Sequence, residues 1–233
     1  AETIAALRSE LATLECDQLV EIVALDRTAA RDLAHVASVE QATGIVLVGD
    51  DPARLAAILG GTPLAQAIRR ANARSKLVAG IGGAGAFLCQ HIISPGGQPT
   101  TLRGTVAFGP GLGLVNRLVV DATEITPSHM DDARNRLVAA VASNPFLIGV
   151  GLAAGSAAIL YPDNTLQASG PNTITIIDGQ SVETADLDAA NVKVVGALHY
   201  TLHTGDGYNL DDHTLRPVGE VDLPPTGPVT SVF

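Results

Sequence analysis

A chain of 233 residues, 46% apolar and 16% charged, is long enough to bury one sizeable core, and the composition predicts a single α/β domain over 1–233. A net charge of -10 excludes nucleic acid and anionic membrane surfaces as natural partners and favours a cationic, Arg-containing peptide ligand. Aromatics at 3% with no Trp argue against a stacking surface for bases or sugars.

No stretch approaches the roughly 20 apolar residues of a membrane span, and the first residues lack the pattern of a signal peptide, so a cytoplasmic location is expected. Cys16 and Cys89 stand far apart without a C-x-x-C pair, which predicts neither a disulfide framework nor a zinc site but two buried thiols.

In chain order, Ile4, Leu7, Leu11 and Leu14 form a helical stripe, and "LVEIVALD" from Leu19 reads as a buried strand. Asp26 is placed to cap a helix from Arg27 to about Val39, and "GIVLVGDDP" from Gly44 reads as strand then turn. Asp51-Pro52 opens a short helix to Leu59, and Thr62-Pro63 opens another to Ala73. After the 76–90 stretch, glycine-broken strands run to Asp121 and Ser128 starts a helix through Ser143. From Phe146 onward short strands alternate with turn residues, predicting antiparallel hairpins, and a proline-broken tail at 222–233 needs a surface to order it. The alternation predicts a doubly wound, mostly parallel α/β sheet with a strand-rich C-terminal half and its crevice at the carboxyl ends of the strands.

The stretch "KLVAGIGGAGAFLCQ" is an apolar run, a glycine cluster and an alanine-rich segment: strand, sharp turn, helix. Three readings fit. One is a nucleophile elbow with Gly83 at its tip. A second is a dinucleotide fingerprint through Gly80, Gly82 and Gly85, although no acidic residue follows about 20 positions on. The third is close packing of a helix on a sheet. Downstream, His199 and His203 share a strand face and Asp206, Asp211, Asp212 and His213 follow; this group could hold a transition metal, but strand residues four apart are about 13 Å apart, so no metal site is expected.

The order of motifs resembles the cyanophycinases, a serine peptidase family that cuts β-aspartyl-arginine polymers on a class I glutamine amidotransferase-like, flavodoxin-type fold. The resemblance rests on "VGDDPARLAAILGGTPLAQAIR", "AGIGGAGA", "GLGLV", "NPFLIGVG", "TIIDG" and "HTGDGYNL". It covers the chain except for a first family strand, which has no counterpart. The resemblance places the serine on Gly83, with Gly82 and Ala84 beside it, and the oxyanion and pocket turn on Gly49, Asp50, Asp51 and Pro52. Asp50 falls near the glycine of the oxyanion hole, Pro52 on a substrate-facing glutamine and Ala154 on an acidic residue. The family histidine corresponds to Thr123 or to His129. The expectation is a catalytically silent homologue, without cofactor, that forms a homo- or hetero-oligomer with a related subunit. Two rival expectations are a hydrolase with a relocated nucleophile and a small anion or nucleotide binder at the glycine turn.

Overall fold

A computed structural model describes residues 2–14, 16, 18–94, 106–125, 130–186, 193–218 and 231–233. Helix α1 (Glu2–Thr13) is followed by an extended stretch and by α2 (Leu33–Gln41), whose N-cap is Asp32. Asp26 accepts from the Thr28 and Ala29 amides at the start of a short 3₁₀ turn (Ala29–Arg31) whose N-cap is Thr28, so the helix expected from Arg27 starts later. Strand β1 (Gly44–Val48) leads into α3 (Pro52–Leu59) and α4 (Pro63–Ala73). Both helices have Pro in the first turn, and their caps Asp51 and Thr62 accept from backbone amides. On α4, Leu64, Ala65, Ala67, Ile68 and Ala71 form the buried stripe, leaving Gln66, Arg69 and Arg70 outside.

Strand β2 (Leu77–Ile81) turns sharply into α5 (Gly83–Leu88), and the hairpin β3 (His91–Ser94) with β4 (Ala107–Pro110) follows. Strand β5 (Leu118–Ile125) and helix α6 (Met130–Ser143) precede the strand-rich half: β6 (Ile148–Ala153), β7 (Ala157–Leu160), β8 (Thr165–Ser169), β9 (Ile174–Asp178), β10 (Thr184–Asp186), β11 (Lys193–Val195), β12 (Leu198–Leu202), β13 (Gly207–Asn209), β14 (Thr214–Arg216) and β15 (Ser231–Val232). One sheet has the order β1-β2-β15-β7-β8-β13-β14 and a second the order β12-β9-β6-β5. Parallel pairing joins β1 to β2, β2 to β15 and β5 to β6, while the hairpins of the C-terminal half pair antiparallel.

The short helix α5 is buried along its whole length and packs against β2, β5 and α3, so it lies at the centre of the main apolar core. A Cβ on Gly80 would stand 2.6 Å from the Gly85 amide, so its absence lets α5 settle onto β2. Helix α6 covers the second sheet, with Leu137, Ala140 and Val141 on Val119, Leu147 and Ile177.

Two expectations fail here. Residues 19–25 are extended but belong to no strand, and Val20, Val23 and Leu25 are exposed. A strand needs a neighbour for its backbone groups, and no described strand pairs with this stretch. Strand β1 is an edge of its sheet, and an apolar groove of about 530 Å³ separates it from the extended stretch, floored by Leu47 and Leu55 and walled by Leu7 and Leu11 of α1. Cys16 is exposed rather than buried, since the helical stripe of α1 ends before it; Cys89 is buried as expected. The end of the tail is ordered by the sheet itself, with β15 inserted between β2 and β7.

Candidate functional site

The turn after β2 is built around one strained residue. Gly82 has φ +67° and ψ -138°, a conformation that L side chains rarely adopt, and it is exposed. In a nucleophile elbow the reactive residue occupies such a conformation between strand and helix. The apex is therefore Gly82, not Gly83 as the sequence suggests. Gly83 is the first residue of α5 and is buried.

What buries Gly83 is the turn after β1. The Gly49 amide donates to Ile81 at 3.3 Å and the Ala84 amide donates to the Gly49 carbonyl at 2.8 Å, lacing the two turns together. A Cβ on Gly83 would lie 2.2 Å from the Asp50 carbonyl oxygen and 2.8 Å from the Pro52 ring. No side chain fits there without moving backbone. A Cβ on Gly82 would lie 3.1 Å from both the Asp50 carboxylate and the Gly49 carbonyl, a tight but open position. Gly49, Asp50, Asp51, Pro52, Gly82 and Ala84 thus form one constellation at the carboxyl ends of β1 and β2.

Electrostatically this mouth presents acceptors. The Asp50 carboxylate stands beside Gly82, and the Asp51 carboxylate is taken up by the Ala53 and Arg54 amides as a helix cap. An oxyanion hole requires the reverse, donors aimed at developing negative charge. The same arrangement opposes a phosphate at the glycine turn: the Ala84 amide is already bonded and a carboxylate sits at the entrance.

Ala154 lies in the exposed turn after β6, with its carbonyl accepting from Asn172 Nδ2 at 2.6 Å. That turn leads into β7, whose Ala158 exchanges two backbone hydrogen bonds with Phe233 next to the elbow, so Ala154 belongs to the same edge. It brings a methyl group where a carboxylate is expected. Thr123 is in β5 by its backbone, and His129 lies outside the described residues. Cys89 is at the far end of α5, fully buried, and burial pushes its thiol up to about 12, which removes it as a nucleophile.

The histidine and aspartate group of the C-terminal half does not converge. Asp206 accepts from the His203 and Val218 amides, Asp211 pairs with Arg117, and Asp212 is held by Thr214 and Arg216. No group of metal-ligating side chains occurs among the described residues. His213 instead reaches Asp178, with Nδ1 2.7 Å from Oδ2. Asp178 is fully buried and also accepts from the Tyr208 hydroxyl and the Gln180 amide. The sequence signal for this network is a carboxylate ending the apolar strand "TIID", since a buried carboxylate demands donors.

No family model matches the chain. A cyanophycinase of Geminocystis herdmanii is 29% identical over 194 residues, covering 81% of this chain and 70% of that protein. A cyanophycinase of Trichormus variabilis is 31% identical over 192 residues, covering 78% and 61% respectively, and one of Synechococcus elongatus is 29% identical over 197 residues, covering 82% and 60%. Over about four fifths of its length the chain is thus similar to cyanophycinases. Its fold agrees: a peptidase from an acI-B1 Actinobacterium superposes with TM-score 0.60 over 90% of this chain and 78% of that one, at 20% identity. The cyanophycinase-like chain spans 60% to 70% of the length of the three relatives. No helix among its described residues is long and apolar enough to cross a membrane.

Proposed function

We propose that this cyanophycinase-like chain does not hydrolyse peptides through its elbow and acts as a partner or scaffold subunit, in a homo- or hetero-oligomer with a related chain. One observation carries the reading: the elbow has a glycine at its apex and a glycine behind it, and the space behind the apex is filled by the Asp50 backbone. General-base chemistry contributes only where an attacking group is present to lose a proton, and neither glycine supplies one. Asp50 and Ala154 add to this, the first by its sign of charge and the second by having no charge. The open edge of β1 and the apolar groove beside it supply a surface on which a related subunit could rest. If the crevice retains a ligand, its carboxylate-rich mouth favours a cationic, Arg-containing peptide over an anion.

The test has two arms. The purified chain is treated with a fluorophosphonate probe and incubated with a β-aspartyl-arginine dipeptide; neither labelling nor turnover is expected. Labelling of a single crevice residue, or release of free arginine, overturns the silent reading and reinstates a hydrolase with a relocated nucleophile. Separately, copurification from the native source is expected to bring down a related chain, and recovery of a lone monomer removes the partner role.

A further inference from the structure

At the end of α5 away from the elbow, the structure holds a second, open cleft of about 720 Å³ between α4, the β3–β4 hairpin and the run from Gly109 to Gly113. The elbow lies at the N-terminus of α5, whereas Gln90 and His91 of this cleft follow its C-terminus, so the two sites are at opposite ends of one buried helix. The geometry points to a binding site for a monocarboxylate that carries a neighbouring amide, as in an N-acylated amino acid or the C-terminus of a peptide.

Among the described residues, the cleft is lined by the polar side chains of Arg69, Gln90, His91 and Asn116 and by no Asp or Glu, in a chain with 24 acidic and 14 basic residues. A local surplus of donors in so acidic a protein is the reverse of the surrounding field. Among the described residues the side chains of Arg69, Gln90 and Asn116 have no hydrogen-bond or ion-pair partner, which leaves their groups to meet a ligand. Arg69 is the one full cation of the set. Its planar fork matches a single carboxylate, whose charge it balances, better than a doubly charged phosphate. The amides of Gln90 and Asn116 each offer both a donor and an acceptor, which is what a ligand amide requires.

The floor is rigid and bare. The amides of Gly111, Leu112, Gly113 and Leu114 donate to the carbonyls of Gln90, Phe87, Cys89 and Leu88 at 2.9, 2.6, 3.0 and 2.9 Å, fixing the strip to the end of α5. At Gly113, with φ +75°, an added Cβ would come 3.9 Å from the Arg69 guanidinium and fill the space below it. Phe108 stands edge-on to His91, with ring centroids 5.9 Å apart, and gives the ligand an apolar wall. A volume of this order suits a ligand of one to three residues.

The inference does not rest on the silent elbow, and its test leaves that site alone. N-acetyl-L-leucine is titrated into the full chain and followed by heteronuclear NMR, with N-acetyl-leucinamide and inorganic phosphate as parallel titrants. Saturable shifts are expected at the Gly109, Gly111 and Gly113 amides with the carboxylate alone. Arg69→Ala, an exposed change on α4, is expected to weaken binding about tenfold, and Arg69→Lys, which keeps charge but loses the fork, severalfold. Asn116→Ala gives an independent second reading and is expected to weaken binding as well. Shifts that fail to saturate, equal response to the amide, tighter binding of phosphate, or affinity unchanged in both Arg69→Ala and Asn116→Ala each overturn the assignment.

Discussion

The two glycines of the elbow make opposite predictions about replacement by serine. At Gly83 the new Cβ meets the Asp50 carbonyl at 2.2 Å, backbone against backbone, so Gly83→Ser is expected to cost about 3 kcal/mol or more in urea unfolding. At Gly82 the nearest atoms are 3.1 Å away and the cost is that of an L residue at φ +67°, about 1–3 kcal/mol. Gly82→Ser is expected to fold and still to release no arginine from a β-aspartyl-arginine dipeptide, because Asp50 at the mouth repels a developing oxyanion. Equal stability of Gly83→Ser and the parent would show that the Asp50–Pro52 turn is free to move. The two cysteines give a second contrast. With its thiol pushed up to about 12 and no exposure, Cys89 is expected to resist iodoacetamide at neutral pH in the native protein, while exposed Cys16 is modified. Mass spectrometry of the intact and then the urea-treated chain checks this, and early alkylation of Cys89 would mean that α5 opens readily. Sequence reading located the elbow to within one residue. It missed the apex because glycines at 82 and 83 look alike until the backbone torsion is known.

The hairpin β13–β14 is fastened to β9 by polar contacts. Tyr208, fully buried, donates its hydroxyl to Asp178, and His213, itself at φ +57°, reaches the same carboxylate from the turn. Arg117 extends the network outward to His213 and Asp211. Burial first, then the bond to Asp178, raises the Tyr208 phenol above its usual 10.0. The folded protein therefore keeps this proton where the unfolded chain loses it, and the associated stability is complete below about pH 10 and lost as pH rises beyond that. Tyr208→Phe is expected to cost about 1–3 kcal/mol at neutral pH, by leaving the carboxylate short of a donor. The gap between parent and variant should narrow by about 1.4 kcal/mol by pH 11. A gap constant with pH, from parallel urea titrations, would mean that the phenol ionises equally in both states. Capping residues made α3 and α4 legible in sequence, as Asp51, Thr62 and the paired prolines show. The stretch from Leu19 was not, because strand pattern reports what a segment could pair with, while strand formation needs the partner to be there.

Across the whole molecule, local pattern foretold the change from parallel to antiparallel pairing but not the seam between the two. The alternation of helices and strands up to Ile81 implied β1 beside β2, and the hairpin turns after Phe146 implied the C-terminal meander. Nothing local in "TSVF" announces a central strand, since contacts between residues about 70 to 150 positions apart leave no trace in periodicity. Yet β15 is that seam: Ser231 and Val232 pair with Val78 and Ala79 on one side and with Leu160 and Ile159 on the other. Phe233 then closes the end, buried at 5% exposure against α5, its amide and carbonyl both bonded to Ala158. Among the described strands, these residues are the hydrogen-bonded link between the pair β1-β2 and β7 with the strands beyond it. Removal of residues 231–233 is therefore expected to broaden the urea transition followed by far-ultraviolet circular dichroism, as the two parts of the sheet unfold separately. Phe233→Ala keeps the backbone seam and removes only the buried ring, so it is expected to retain one sharp transition with stability lower by about 3–5 kcal/mol. A truncated chain as stable and as cooperative as the parent would place the cohesion of the two parts in side-chain packing around α5 instead of in β15.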